Sequence, residues 1–249
     1  MPKRKKILAV IPARYASTRF PGKPLVKIGG KTMIRRVYEQ VSKAPEISKI
    51  IVATDDERIK DEVERFGGNV QLTATHHQSG TDRCAEVLDY EKDSFDAVIN
   101  VQGDEPFIHP QSISDLCELF NNDEVQIGTL IKKITSEAVL FDPNKPKVVI
   151  DNTGKALYFS RHTVPYLRNV AEKDWLSSHT FYQHIGIYGF TPETLKKITE
   201  LPVSTLEKAE SLEQLRWLEN GYSIYTKTTN FESTGIDTPE DLEKIKPFL

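Results

Sequence analysis

The sequence lacks several features that would assign it quickly. Only two of its 249 residues are cysteines, and without a CxxC pair neither a disulfide framework nor a cysteine zinc site is expected. No apolar run approaches the roughly 18 residues of a membrane-spanning helix. The net charge of -3 is not the basic surplus of nucleic-acid or anionic-membrane binders. These absences predict a soluble cytoplasmic protein with no nucleic-acid and no membrane partner.

Common phosphate and nucleophile signatures are also missing. Neither GxxxxGK[ST] nor GxGxxG occurs, which excludes a Walker-type phosphate loop and the dinucleotide fingerprint. No GxSxG elbow is visible. The adjacent pair His76 and His77 lacks the i, i+3 or i, i+4 spacing of helical zinc ligands. Neither a covalent nucleophile nor a zinc centre is therefore expected.

The first half of the chain alternates strand-like and helix-like segments. Strands are predicted at 7–11, 49–54, 70–72 and 97–101, and helices at 56–66, 82–90 and 110–120, the second of these capped by Thr81 or Asp82. Such alternation predicts an α/β fold with a doubly wound, mostly parallel sheet. Ligands of that fold bind past the C-terminal ends of the strands. The candidate binding loops are therefore 13–23, 54–56, 79–83 and 102–105.

The second half is predicted to change character. An inserted arm is expected at about 136–182, with β-like runs at 147–150 and 156–159 and a polar surface loop at 169–180. A strand at 184–190, a helix at 205–220, a strand at 222–227 and a terminal helix at 239–248 follow. We predict a single domain over 1–249 that carries this arm. Because sheet-like arms often pack against a second copy, we also predict a homodimer.

The loop after the first strand is the strongest candidate site. It carries Arg14, Arg19 and Lys23, with hydroxyls at Ser17 and Thr18. Guanidinium, ammonium and backbone N–H groups can divide the oxygens of a nucleoside triphosphate among them. The ordinary alternative is a solvated basic loop, but three prolines and a glycine restrict and turn this one. We therefore predict a nucleoside triphosphate site.

Two aspartates follow strands or precede helices at the same edge. Asp104 follows the fourth strand with Gln102 and Glu105 beside it, and Asp237 precedes the terminal helix. Each alone could be an ordinary turn or cap residue. Mg²⁺ takes one or two carboxylates together with phosphate oxygens. Asp104 and Asp237 are therefore predicted to meet over the α-phosphate and hold the metal.

A second helix-opening loop, SGTDR at 79–83, could also contact the nucleotide. Gly80 permits a close approach, and N–H groups at a helix start accept anions. Arg83 has an alternative as a surface ion pair with Glu57 or Glu86. Both interpretations of Arg83 remain open.

Five polar residues of the second half suggest a second substrate. One cation and several donors and acceptors are what a polyhydroxylated sugar acid requires. Taken singly, a strand histidine is usually structural, and Glu213 and Gln214 lie mid-helix, where an exposed face is the ordinary interpretation. The set is Arg161, His184, Tyr188, Glu213 and Gln214.

Seven motifs in order resemble one known family. IPARYASTRFPGKPL, VATDDERI, SGTDR, VINVQGDEP, HIGIYGF, LEQLRWLENG and GIDTPEDL are similar to those of the 3-deoxy-manno-octulosonate (Kdo) cytidylyltransferases of lipopolysaccharide synthesis. The resemblance spans 7 to about 245. It implies a nucleotidyltransferase-like, Rossmann-like fold and the reaction CTP + Kdo → CMP-Kdo + pyrophosphate with Mg²⁺. It also implies in-line attack by the anomeric hydroxyl on the α-phosphorus, with catalysis by positioning and charge neutralisation.

The resemblance also implies roles for individual residues. Arg14, Lys23, Asp104 and Asp237 are the catalytic candidates, and the two aspartates are the metal ligands. The sugar-acid pocket takes the five polar residues above, with Arg161 on the carboxylate, and the arm around 141–166 forms a dimer. The nucleotide-binding candidates are Ala13, Arg14, Ser17, Lys23, Gly80, Arg83 and Gln102, with Gln102 on the cytosine side.

Three alternatives remain open. The acceptor could be 8-amino-Kdo or another sugar acid. A nucleotide-sugar glycosyltransferase would usually present Asp-x-Asp after a strand, where this chain has QGDE at 102–105. A non-catalytic nucleotide or sugar-acid sensor would be expected to have lost Lys23, Asp104 or Asp237, and all three are present.

Overall fold

The computed structural model describes residues 4–16, 20–232 and 235–245, with side chains up to 243. The strands are β1 Ile7–Ala13, β2 Lys27–Ile28, β3 Lys31–Thr32, β4 Ile47–Thr54, β5 Val70–Leu72, β6 Ala97–Asn100, β7 Ile127–Lys133, β8 Lys147–Ile150, β9 Ala156–Ser160, β10 Tyr182–Phe190 and β11 Ile224–Thr228. The helices are α1 Met33–Val41, α2 Glu57–Arg65, α3 Gly80–Tyr90, α4 Pro110–Leu119, α5 Glu137–Leu140, α6 Trp175–Ser178, α7 Pro192–Thr199, α8 Thr205–Glu210, α9 Gln214–Glu219 and α10 Pro239–Ile245.

The main sheet runs in the order β11–β7–β10–β6–β1–β4–β5. Its neighbours are parallel except at β10, which is antiparallel to both β6 and β7. Alternate residues of β1 enter two separate cores, Ala9 and Ile11 on one face and Leu8 and Val10 on the other. A strand buried on both faces is typical of a sheet covered by helices on both sides. The predicted doubly wound, mostly parallel α/β fold is confirmed.

The segment 136–182 leaves the main sheet and returns through β10. The β8–β9 hairpin pairs with β10, where Tyr182 lies opposite Val148. A small cluster of Ile134, Leu140, Trp175 and Phe181 packs separately from the two main cores. The predicted polar surface loop at 169–180 is wrong at α6, because Trp175 anchors that turn in the cluster at 2% exposure.

Two helix predictions also need correction. Helix α3 begins earlier than predicted: Ser79 is its N-cap, and Ser79 and Asp82 form a reciprocal capping box. The single helix predicted at 205–220 is two short helices, α8 and α9. Ser211 between them has a φ of 51°, a left-handed conformation that ends α8. Glu213 therefore lies in the break rather than mid-helix.

Other elements agree with the sequence pattern or were not foreseen by it. Asp56 caps α2 by accepting the Arg58 N–H, and α10 begins at Pro239 as predicted, with its predicted end beyond the described residues. Neither α1 nor β7 is predicted from the pattern. No helix in the described part of the chain is long and apolar enough to cross a membrane.

Candidate active site

Two neighbouring cavities open at the C-terminal ends of the parallel strands. The first cavity, of about 430 Å³, is lined by Pro12, Ala13, Arg14, Ala16, Lys23, Pro24, Gln78, Gly80, Gln102, Gly103 and Asp104. The second cavity, of about 590 Å³, has a lining that includes His184, Tyr188, Glu213, Gln214, Asp237 and Lys145. The candidate binding loops after β1 and β6 and at the start of α3 thus meet at the C-terminal ends of the parallel strands, as this fold class predicts.

Two glycines shape the first cavity. A Cβ on Gly103 would lie 2.5 Å from the carbonyl oxygen of Pro12, so only glycine allows the β1 and β6 loops to approach this closely. Gly22 has a φ of 71° and donates its N–H to the Tyr15 carbonyl at 2.9 Å. This turn closes the basic loop and directs the next residue, Lys23, towards the strand ends.

Lys23 joins the two predicted metal-binding aspartates. Its Nζ lies 2.7 Å from Asp104 Oδ2 and 3.0 Å from Asp237 Oδ1. The Ile236 N–H donates to the Asp104 carbonyl at 2.9 Å and fixes the two segments together. Asp104 lines the first cavity and Asp237 the second, so this ion-pair cluster stands at their junction.

The same carboxylates fit a divalent cation. Both reach one ammonium nitrogen, so both could reach one metal ion placed there. Among the described residues no group of three or more His, Cys, Asp or Glu side chains could hold a metal. Mg²⁺ is commonly held by one or two carboxylates, with phosphate oxygens and water completing its shell. The pair is therefore suited to Mg²⁺ delivered with a nucleotide.

Arg14 borders the first cavity. Its guanidinium donates to the His77 carbonyl at 2.5 Å. Burial and the nearby Arg83 guanidinium lower the pKa of Arg14 from its usual value, and an arginine with a somewhat lowered pKa is still cationic at neutral pH. A fixed cation here can pair with phosphate oxygens. Ser17, predicted to join it, lies outside the described residues.

Arg83 is not among the residues that line this cavity. It is fully buried and donates to Asp55 Oδ2 and Thr73 Oγ1, both at 2.6 Å. The predicted surface pair with Glu57 or Glu86 is wrong, because α3 turns Arg83 inward to the end of β4. Asp55 belongs to the predicted loop 54–56 and supplies the buried counter-charge. A direct nucleotide contact by Arg83 stays a prediction.

The second cavity contains polar atoms that need partners. Tyr188 Oη and Gln214 Nε2 are buried and have no hydrogen-bond partner among the described residues. Leaving a buried donor unsatisfied costs roughly 1–3 kcal/mol, and such groups are often completed by a ligand or water. Both atoms belong to residues of the cavity lining. The cavity therefore suits a ligand rich in hydroxyl and carbonyl oxygens.

Glu213 supplies a partly buried acceptor in the same cavity. Burial raises its pKa, and the Thr81 hydroxyl donates to its Oε2 at 2.9 Å. Thr81 follows Gly80, which lines the first cavity, so one hydrogen bond connects the two cavities. Neither this contact nor the break before α9 is predicted from the sequence, because residues 132 positions apart leave no local signal.

Arg161 is not brought to the other four sugar-acid candidates. It lines a separate cavity of about 530 Å³ together with Tyr166 and Trp175. Its guanidinium donates to the carbonyl oxygens of Glu210, Pro143 and Ser211 at 2.6, 3.1 and 3.2 Å. The β8–β9 hairpin directs it towards α8. The lining of the second cavity instead includes the cation Lys145, which is not among the residues predicted from the sequence.

His184 is held uncharged at neutral pH. Its ring is 7% exposed, Nε2 lies 3.0 Å from Thr129 Oγ1, and burial lowers its pKa to about 3. A histidine in the unfolded chain has a pKa near 6.5. Between these values the unfolded chain binds the extra proton, so stability present above about pH 6.5 is lost as the pH falls towards 3.

We expect this histidine to contribute to acid destabilisation. The free energy of unfolding should fall by about 1.4 kcal/mol per pH unit on this account, or about 2–3 kcal/mol by about pH 4.5. Urea unfolding at neutral and acidic pH should show a smaller loss in His184→Gln than in the wild type. The control is His76→Gln at an exposed position. Equal pH dependence in wild type and His184→Gln would contradict the assignment.

The chain is similar to known cytidylyltransferases. The cytidylyltransferase family model matches residues 8–246. The 3-deoxy-manno-octulosonate cytidylyltransferase of Cytophaga hutchinsonii is 59% identical over 240 residues, covering 96% of each chain. That of Bacteroides thetaiotaomicron is 53% identical over 98% of each chain.

Solved structures place the fold in the same group. CMP:2-keto-3-deoxy-manno-octonic acid synthetase, solved in complex with CTP, superposes with a TM-score of 0.90 at 40% identity, covering 98% of each chain. The 4-diphosphocytidyl-2C-methyl-D-erythritol synthase of Anaerococcus prevotii superposes with a TM-score of 0.63 at 16% identity over 99% of each chain. The second likeness concerns the fold alone.

Proposed function

The chain belongs to the cytidylyltransferase family, and we propose that its two cavities perform CMP transfer from CTP to 3-deoxy-manno-octulosonate (Kdo), releasing pyrophosphate. The chain is a nucleotidyltransferase, and the relatives named 3-deoxy-manno-octulosonate cytidylyltransferase match it over 96% and 98% of their length. The observation that supports assigning one substrate to each cavity is the Lys23–Asp104–Asp237 cluster. It stands where one cavity meets the other, as the junction between a nucleotide and an acceptor requires.

The first cavity is assigned to CTP. Arg14 and Lys23 would pair with the phosphate oxygens, and the N–H groups around Ala13 and Gly80 can donate to them. Gln102 follows β6 and borders the same space, which suits a contact with the cytosine. Ser17 keeps its predicted place among the nucleotide contacts. The Arg83–Asp55 ion pair would stabilise the segments that line this cavity.

The junction is assigned to Mg²⁺. Asp104 and Asp237 would hold the ion, which when bound supplies positive charge that offsets the phosphate charge. Lys23 can follow the phosphates because its ammonium is a point charge on a flexible stem. These side chains bind, orient and neutralise.

The second cavity is assigned to the sugar acid. Tyr188 and Gln214 have donors with no partner in the part of the chain that the structure describes, and Glu213 offers a carboxylate acceptor. His184 is the fourth predicted sugar-acid residue in this lining. The carboxylate of the sugar acid needs a cation: Arg161 is the predicted one, and Lys145 is the one that lies in this lining.

The chemistry that this arrangement supports is direct transfer. The anomeric hydroxyl would attack the α-phosphorus from the second cavity, while the pyrophosphate leaves through the first. No nucleophilic side chain is required, so rate enhancement comes from holding two substrates in line and from offsetting charge. CMP-Kdo activates the sugar acid for transfer, which places the reaction ahead of glycosyl transfer in lipopolysaccharide synthesis.

Pyrophosphate release tests the function directly. The protein is incubated with CTP, Mg²⁺ and Kdo, with 8-amino-Kdo and N-acetylneuraminate in parallel. Release with Kdo in clear preference supports the proposal. Release only with an analogue would move the acceptor assignment, and CTP binding without release under any condition would indicate a sensor.

A homodimer is part of the proposal. The segment 136–182 exposes large apolar side chains, with Leu157 at 58% and Tyr166 at 73% exposure. Large exposed apolar patches mark protein–protein interaction sites. Light scattering at micromolar concentration should give twice the 28.3 kDa chain mass. In Leu157→Glu the measured mass should shift towards that of a single chain. A wild-type monomer would contradict the dimer.

A single domain over 1–249 and a cytoplasmic location are proposed together with it. The two cysteines, Cys84 and Cys117, are buried free thiols, and burial raises the pKa of both. Such thiols are inert and consistent with a reducing compartment.

The unpaired hydroxyl of Tyr188 allows a selective test of the second cavity. Tyr188→Phe removes an oxygen that bonds to no described residue, so thermal stability should be retained or slightly raised. The KM for Kdo should rise about tenfold, as loss of one hydrogen bond implies, with the KM for CTP unchanged. Steady-state kinetics check this, with Tyr182→Phe as control. Equal effects on both KM values would contradict a contact between Tyr188 and the sugar acid.

A further inference from the structure

Strand β10 is irregular beside the second cavity. Its pairing with β7 shifts between Ile185, which faces Leu130, and Tyr188, which faces Thr129. Gly186 and Ile187 are the residues inserted by this bulge, and Gly186 lines the cavity. Bulges of this kind redirect side chains next to functional sites. The side chain that contacts the backbone of this bulge is the fully buried Thr129, through its hydroxyl.

Three acceptors or donors surround that one hydroxyl. Thr129 Oγ1 lies 2.8 Å from the Ile187 carbonyl oxygen, 3.3 Å from that of Ile185, and 3.0 Å from His184 Nε2. A threonine hydroxyl has one proton and two lone pairs. The carbonyl oxygens can only accept, so the hydroxyl proton goes to one of them, and the 2.8 Å contact with Ile187 is the shorter.

The imidazole proton then follows by elimination. With its proton on a carbonyl, Thr129 Oγ1 can only accept from His184, so Nε2 carries the N–H. The opposite arrangement would leave Oγ1 facing two carbonyl oxygens without a proton between them. His184 is neutral, because burial lowers its pKa to about 3. A neutral ring with Nε2–H has its lone pair on Nδ1.

We propose that Thr129 is a positioning residue that holds His184 as the Nε2–H tautomer, so that Nδ1 accepts a hydrogen bond from a hydroxyl of the sugar acid. This inference rests on the proposed function. Nδ1 has no hydrogen-bond donor among the described residues. The ring cannot turn freely, because Phe159 packs edge-on at 5.0 Å and Tyr188 at 5.2 Å between ring centroids.

The tautomer determines which groups of the sugar acid can bind at the His184 side of the second cavity. An Nδ1 lone pair and the Glu213 carboxylate both accept, and both repel a carboxylate. Donors are available on Tyr188 and Gln214. The His184 side of the cavity therefore selects hydroxyls, and the substrate carboxylate is directed away from it. His184 is a specificity residue here rather than a cationic anchor.

Nitrogen NMR tests the tautomer without substrate. In protein labelled with ¹⁵N-histidine, two-bond ¹H–¹⁵N correlations distinguish a protonated Nε2 from a protonated Nδ1. The His184 signals are identified by their loss in His184→Gln. We expect Nε2–H in the free wild type at neutral pH. Nδ1–H, or a doubly protonated ring, would overturn the proposal whether or not pyrophosphate is released.

A matched pair of variants tests the role of Thr129. Thr129→Val keeps the shape and removes the hydroxyl, and Thr129→Ser keeps the hydroxyl. Thr129→Val should lose the single tautomer and raise the KM for Kdo about tenfold, with the KM for CTP unchanged, and Thr129→Ser should restore both. Circular dichroism checks folding. A folded Thr129→Val with the wild-type tautomer and KM would overturn the proposal.

Discussion

Replacement of Asp104 by asparagine is expected to reduce kcat by about 10³-fold or more, with CTP binding still measurable. The change keeps the shape and removes one of the two negative charges that face Lys23 at 2.7 and 3.0 Å. The proposed Mg²⁺ would then have one carboxylate ligand instead of two. Binding should survive because the proposed phosphate contacts of Arg14 and the loop N–H groups would remain. The kcat is measured by pyrophosphate release and CTP affinity by calorimetry.

A surface aspartate provides the control. Asp123 pairs with Lys5 at 2.7 Å, and its side chain is 88% exposed, so Asp123→Asn should leave kcat within about twofold. If Asp104→Asn turned over CTP at the wild-type rate, the aspartate pair would have no catalytic role. A loss of CTP binding equal to the loss of kcat would instead move Asp104 from catalysis to nucleotide binding.

Replacement of Lys23 by methionine is expected to have two opposite effects. The value of kcat/KM for CTP should fall about 10²- to 10³-fold, because a charge aimed at the phosphates is lost. The free protein should bind Mn²⁺ about tenfold more tightly, because the ammonium no longer competes for Asp104 and Asp237. A residue needed only for folding would not move the two quantities in opposite directions.

Calorimetry with MnCl₂ and steady-state kinetics measure the two effects. Lys27→Met, at an exposed position of β2, is the control and should change neither. Unchanged or weaker Mn²⁺ binding in Lys23→Met would contradict a shared cation position. Unchanged kcat/KM would remove Lys23 from the phosphate contacts.

Elements with a local sequence signal are predicted most accurately. The apolar runs at 7–11 and 97–101 predict β1 and β6, and the amphipathic run at 56–66 predicts α2, each to within a few residues. The helix break at Ser211 has no such signal, because the stretch has strong helix formers on both sides. A left-handed serine is stabilised by what surrounds it.

The candidate site divides in the same way. The loop carrying Arg14 and Lys23 and the carboxylate of Asp104 could be chosen from strand-end placement, and Asp237 from its place before the terminal helix. Arg161 could not be placed, because a hairpin decides its direction. The inward turn of Arg83 and the Thr129–His184 contact depend on packing between elements far apart in the chain.

The sequence by itself determined the fold class, the family and the strand ends that are candidates for the site, because periodicity and ordered motifs are properties of neighbouring residues. Only the tertiary structure decided which charges meet and which polar atoms are left for a ligand. Contacts such as Lys23 with Asp237, 214 residues apart, and the unpaired Tyr188 hydroxyl arise from how the sheet brings loops together. Hydrogen bonds and ion pairs act over a few ångströms, so their partners are set by position in space.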